Sequence, residues 1–276
     1  MKDLLAVITP VPDDNLGCAA DYTLALASRM EAHVTFLIAE IEPDISAPMA
    51  QPDNMQSCSE IIVMPTRAER VARTIELAQT AAKLKNVSCT VLENFCPPLR
   101  DLLIDKAQVH DCTIFDVQGS LQYPRQGLIE GVLFGSGRPI ILVPPAAFPL
   151  EEETVLVAWD ATPAAARALH DALPLLVQAR EVFVVSVTDD KEFRAVDSGP
   201  HVCRYLSRWN VKSRFELTER GSRGVGDVLI DYAGRVKANL IVMGGFGHPR
   251  EREFLFGSAT RDIFQSNLDT AVLLSH

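Results

Sequence analysis

Gly244, Gly247, Gly257 and Ser258 follow the apolar run Asn239-Leu240-Ile241-Val242-Met243 with the spacing Gly-x₂-Gly-x₉-Gly-Ser. Such a run reads as a buried strand, so the glycines stand at a strand end. Glycine accepts positive φ and lets backbone come close to a ligand. A helix is expected to open at Gly257-Ser258, and the unpaired N–H groups and positive dipole end of its first turn favour an anion. Phosphate is the natural guest: Ser258 adds a hydroxyl donor, and His248, Arg250 and Arg252 place positive charge nearby. A tight turn followed by a helix cap explains the same spacing, and spacing alone leaves the two readings level. Neither Gly-Lys-Ser/Thr nor Gly-x-Gly-x₂-Gly after a first strand occurs in the chain, so the usual nucleotide signatures are missing.

The elements that would position this loop are legible as alternating runs. In the first half, short β-branched stretches at Leu4–Ile8, Val34–Ala39, Val87–Leu92, Thr113–Val117 and Ile140–Val143 suit strands buried on both faces. Helical patterns lie between them at Ala19–Arg29, Arg67–Lys85, Pro98–Val109 and Arg125–Phe134. After Val143 the proline-rich Pro144–Pro149 and the acidic Glu151–Glu153 mark a domain boundary, and the alternation begins again. Strands are expected at Thr154–Trp159, Val182–Val187, Val211–Leu217, Leu240–Met243 and Ala271–Leu274, with helices at Pro163–Gln178, Val202–Arg208, Gly226–Lys237 and Ser258–Ser266. Strand–helix alternation implies parallel sheets, and two copies imply a duplication. The expected fold is α/β: two tandem open parallel five-stranded sheets with helices on both faces, Rossmann-like, over residues 1–148 and 149–276. The long Pro43–Pro65 segment reads as a lid or as an inert insertion.

The second half resembles the universal stress protein family, whose fold is of the adenine nucleotide alpha hydrolase-like type. The resemblance rests on Leu156-Val157-Ala158-Trp159-Asp160, on Asn239–Gly244, on the glycine spacing through Gly247, Gly257 and Ser258, and on the final run Ala271–Leu274. It implies a stress-response regulatory protein with an adenine nucleotide, ATP or AMP and possibly Mg²⁺, in the crevice of the second domain. By that resemblance Asp160 faces the ribose or a metal on the phosphates, and the strand end near Val187 meets the adenine through its backbone. Gly244, Gly247, Gly257 and Ser258 would cradle the phosphates, with His248 and Arg250 beside them. Without the family context, Asp160 reads equally well as a cap on the helix near Pro163. Asn239 replaces a common Asp of the family, and Glu251 and Glu253 oppose a triphosphate unless they face solvent, which leaves AMP, ADP or another phosphate compound open. No general base can be assigned, so enzymatic activity is expected to be at most slow ATP hydrolysis or phosphotransfer. A ligand-free interaction scaffold is the further alternative.

The first half does not repeat the loop. Leu133-Phe134-Gly135-Ser136 copies Leu255-Phe256-Gly257-Ser258, but only Gly137-Arg138-Pro139 separate it from the next strand. It therefore fits a helix end, where glycine is a stop signal. The first strand ends Ile8-Thr9-Pro10, with no acid in the place of Asp160. This half reads as a degenerate partner, so the tandem resembles a covalent pseudo-dimer of single-domain relatives, with Pro139–Pro144 and Ala271–Ser275 as its internal contact. An unidentified protein partner and a homodimer of the whole chain remain open expectations. The formal net charge of −10 argues against general nucleic-acid or anionic-membrane binding, and no apolar run is long enough to span a bilayer. The start MKDLLAVITPVPDD reads as a strand rather than a signal-peptide core, and the six cysteines show no paired spacing, so reduced thiols and a cytoplasmic location are expected.

Overall fold

The computed structural model describes residues 1–10, 15–39, 66–93, 99–117, 125–147, 154–188, 195–245, 258–266 and 268–276. The first half runs β1 (Asp3–Ile8), α1 (Cys18–Met30), β2 (His33–Ile38), α2 (Arg67–Leu84), β3 (Cys89–Glu93), α3 (Leu99–Gln108), β4 (Cys112–Asp116), α4 (Arg125–Gly135) and β5 (Ile140–Val143). The second half repeats the alternation as β6 (Thr154–Ala158), α5 (Pro163–Leu176), β7 (Glu181–Thr188), α6 (Ala195–Ser207), β8 (Ser213–Glu219), α7 (Val225–Val236), β9 (Leu240–Gly244), α8 (Ser258–Gln265) and β10 (Ala271–Ser275). The Pro43–Pro65 segment falls outside the described residues.

Both expected parallel sheets are present, and they join. The strand order is β3-β2-β1-β4-β5-β10-β9-β6-β7-β8, a single ten-stranded sheet in which the β5–β10 pair is antiparallel and the other pairs are parallel. At the join Val272 faces Leu142, Leu273 faces Ile141 and Leu274 faces Ile140. The expected internal contact between the fifth strands is thus a continuous hydrogen-bonded ladder. Because it is antiparallel, the C-terminal strand ends of the two halves open on opposite edges of the sheet.

Both faces are covered, as the unbroken apolar runs require. Leu4, Ala6 and Ile8 point into a core shared with α1, α2, α5 and α6, whereas Leu5 and Val7 point into a second core with α3, α4, α7 and α8. This is strand periodicity with two buried faces. The outermost strands β3 and β8 have one neighbour each and are only half buried.

One helix departs from the expected bounds. The expected start of α6 is Val202, yet the helix starts at Ala195 and runs through Gly199-Pro200. A Cβ on Gly199 would lie 2.1 Å from the Phe215 ring, so glycine is what lets the helix cross β8 closely. Pro200 is the sixth residue of the helix, so its missing N–H forfeits one bond of the first complete turns.

Candidate functional site

In the second half the strand order reverses between β6 and β9, which makes their carboxyl ends the topological switch point where open α/β sheets bind ligands. Asp160 lies just past β6, Gly244 ends β9, and Val187 is the penultimate residue of β7. The Trp159 N–H donates to the Val185 carbonyl at 2.8 Å, and the Arg220 N–H donates to the Thr188 carbonyl at 3.2 Å. Alternate residues of a strand face the same neighbour, so the N–H and C=O of Val187 turn, like those of Val185, toward the β6 side. There β6 has already ended, at Ala158, so the backbone of Val187 lies beyond the β6 strand.

Asp160 is exposed, and its carboxylate organises the start of α5. Oδ1 accepts from the Thr162 N–H at 3.0 Å and from the Thr162 hydroxyl at 2.6 Å. Thr162 is itself the N-cap, its Oγ1 accepting from the Ala165 N–H at 3.2 Å. The residue between them, Ala161, sits at φ 60, in the left-handed region. The cap suggested for Asp160 is therefore supplied one step removed, through Thr162, a residue that motif reading passed over.

Gly244 has a packing reason of its own. A Cβ there would lie 2.6 Å from the Ala165 nitrogen and 2.7 Å from the Ala164 carbonyl carbon, so α5 sits directly on the strand end. The next residue, Gly245, donates its N–H to the Ser275 carbonyl at 2.7 Å. Ser258 is the first residue of α8, and Gly247, His248, Arg250 and Gly257 lie outside the described residues. The far side of the loop is anchored through α8: Asp262 Oδ2 accepts from the Gly226 N–H at 3.2 Å, serving the N-terminus of α7, whose N-cap Gly224 has no side chain to do so. A Cβ on Gly226 would meet Asp262 Cβ at 2.5 Å and the Ala259 carbonyl at 2.9 Å.

The described residues thus bring Asp160, Val187 and Gly244 to one crevice, with the loop leaving from it and ending at α8. Among the described residues no group of three or more His, Cys, Asp or Glu side chains is arranged to hold a metal. A magnesium ion carried on phosphates asks for only one or two carboxylates, a demand that Asp160 could meet.

The universal stress protein family model matches residues 152–267. Those residues form a universal stress protein domain. Two crystal structures align with nearly the whole chain. A universal stress protein from Archaeoglobus fulgidus DSM 4304 is 15% identical, with 98% of this chain and 95% of that one covered at a TM-score of 0.63. A protein of Pseudomonas aeruginosa UCBPP-PA14 assigned to the universal stress proteins is also 15% identical, with 99% and 92% covered at a TM-score of 0.64. At this identity the likeness is one of fold, and it extends the tandem arrangement over both halves. No curated protein matches the chain.

Beside the universal stress protein half, the first half carries an ion pair at the matching strand end. The position matching Gly244 is Asp116, the last residue of β4. Arg125, opening α4, places Nη2 2.8 Å from Asp116 Oδ1 and 3.3 Å from the Thr9 hydroxyl, with both charged side chains largely buried. Gly17, the N-cap of α1, faces Asp116 from φ 88, and the Cys18 thiol donates to the Val143 carbonyl. Burial first, and then the Asp116 carboxylate, push the Cys18 thiol above its ordinary pKa. Sequence reading noticed the missing acid after β1 but not this pair, whose signal was an aspartate where the second half carries glycine. The expected helix end is found: α4 stops at Gly135.

Proposed function

We propose that the second half binds an adenine nucleotide, ATP or AMP, and that occupancy of this site is what the protein uses in a regulatory role. The carrying observation is the convergence of the Val187 backbone, Asp160 and the Gly244 strand end on the β6/β9 switch point, from which the glycine loop leads to the start of α8. The Val187 N–H and C=O suit the edge of adenine, Asp160 Oδ2 suits a ribose hydroxyl or a phosphate-borne Mg²⁺, and Gly247, Gly257 and Ser258, with His248 and Arg250, suit the phosphates. The Asp116–Arg125 pair argues for one site per chain.

A second reading has its own support. Gly244 is accounted for by the packing of α5, and Asp160 by the Thr162 cap, which is what a ligand-free scaffold would need. Thermal unfolding with ATP, AMP and no nucleotide separates the two. A ligand held only by the native state at about 100 times its Kd adds about 2.7 kcal/mol of stability. Nucleotide binding predicts a raised Tm with at least one adenine nucleotide, and an unchanged Tm with all of them at millimolar concentration sinks it in favour of the scaffold.

A further inference from the structure

The glycine loop leaves the sheet through Gly245, and the side chain nearest the place of its missing Cβ belongs to the other half of the chain. A Cβ at this position would lie 2.9 Å from Leu133 Cδ2, on α4 of the first half. Its φ is outside the left-handed region, so packing rather than backbone strain asks for glycine. The next residue of α4, Phe134, meets the His276 ring edge-on with centroids 4.8 Å apart, and His276 Nδ1 donates to the Gly245 carbonyl at 3.0 Å. Both polar groups of the Gly245 backbone are thus held, the N–H by Ser275 and the C=O by His276, while Leu133 closes the remaining side.

The antiparallel β5–β10 join explains how this contact arises. α4 starts at the C-terminal edge of the first half, where Arg125 is paired with Asp116, and runs back across the sheet to the edge on which the second half's crevice opens. Its eleven residues span about 16 Å at 1.5 Å per residue. Leu133 is buried, and Arg167 of α5 adds a bond to the Gly137 carbonyl at 2.8 Å just beyond the helix.

The geometry points to α4 as a positioning strut for the second half's site: Leu133, with Phe134 acting through His276, fixes the strand end from which the phosphate-binding loop departs. The first half, which carries the Asp116–Arg125 ion pair at its own switch point, is in this way part of the second half's binding machinery. This rests on the nucleotide reading above, and the test separates the two. Mg-ATP is titrated calorimetrically into the full chain and into Gly245→Ala, Leu133→Ala, the double variant and His276→Ala, while amide hydrogen exchange is followed at Gly245.

Gly245→Ala drives a methyl into Leu133, and the expected result is an affinity about tenfold weaker with faster Gly245 exchange, within the range of coupling between touching side chains. Adding Leu133→Ala makes room for the methyl and restores most of both, a rescue that general loss of stability does not produce. His276→Ala leaves the core intact and speeds exchange at Gly245. The strut is overturned if the double variant is no better than Gly245→Ala in either readout, or if Gly245→Ala and His276→Ala both leave exchange at the wild-type rate. Should the wild type bind no Mg-ATP, the affinity arm falls away with the ATP reading, and the exchange rescue alone decides the strut.

Discussion

Gly244 carries two demands at once. As the last residue of β9 it begins the glycine loop, and as the floor under α5 it has no room for a side chain, with Ala165 N only 2.6 Å from where a Cβ would be. The nearest atoms are backbone, which cannot rotate away. Gly244→Ala is therefore expected to destabilise the protein by about 1–3 kcal/mol, the usual cost of overpacking. Urea unfolding checks this, and a change below about 0.5 kcal/mol would mean that α5 does not rest on the strand end. At this scale the sequence was informative about the residue and incomplete about the reason. Spacing marks Gly244 as special, but whether a ligand or a helix takes the space of its missing side chain is decided by tertiary packing.

At the scale of elements, a single carboxylate ties strand starts together. Asp111, just before β4, accepts from the Lys2 and Asp3 backbone N–H groups at the start of β1. Burial alone would raise its pKa. The two N–H bonds, the N-terminal ammonium and Arg138 outweigh that and hold it below its ordinary value. A carboxylate with a lowered folded pKa contributes stability above its unfolded pKa and loses it as pH falls through the folded one. Asp111→Asn should therefore lower the urea midpoint at pH 7, with the deficit shrinking as pH drops below the ordinary value of 3.8. A deficit that is the same at about pH 3 as at neutrality would assign the effect to the altered hydrogen bonds and not to the charge.

Among the described residues every helix and strand was legible as an element, because apolar runs of strand length alternate with helical repeats and two buried faces leave little ambiguity. α6 begins seven residues before the expected Val202, and the close approach of Gly199 to Phe215 on a neighbouring strand is a tertiary contact that local pattern does not carry. The Asp262–Gly226 contact was invisible for the same reason, because it joins residues whose proximity exists only after the sheet has formed.

For the whole molecule, the decisive feature is the β5–β10 ladder. All four residues of β5 and all five of β10 are buried, and the two cores continue across the join. Cross-half bonds such as Arg167 to Gly137 and Gln178 to Met30 add to it. Two halves sharing one sheet and two cores should unfold together, so calorimetry is expected to show a single transition with matching calorimetric and van't Hoff enthalpies. Two resolved transitions would mean that each half is stable without the other. The repeat hinted at this arrangement through the paired fifth strands, whereas the opposite-edge placement of the two crevices follows only from the antiparallel sense of the pairing.

The central claim, one adenine nucleotide site per chain in the second half, is tested most directly by isothermal titration of Mg-ATP, and of AMP in parallel, into nucleotide-stripped protein and into Gly247→Val. Close to one equivalent should bind to the wild type, and binding should be lost in the variant. Two equivalents would show that the Asp116–Arg125 pair does not close the first crevice. Absence of binding by either nucleotide, or binding untouched by Gly247→Val, would contradict the claim itself.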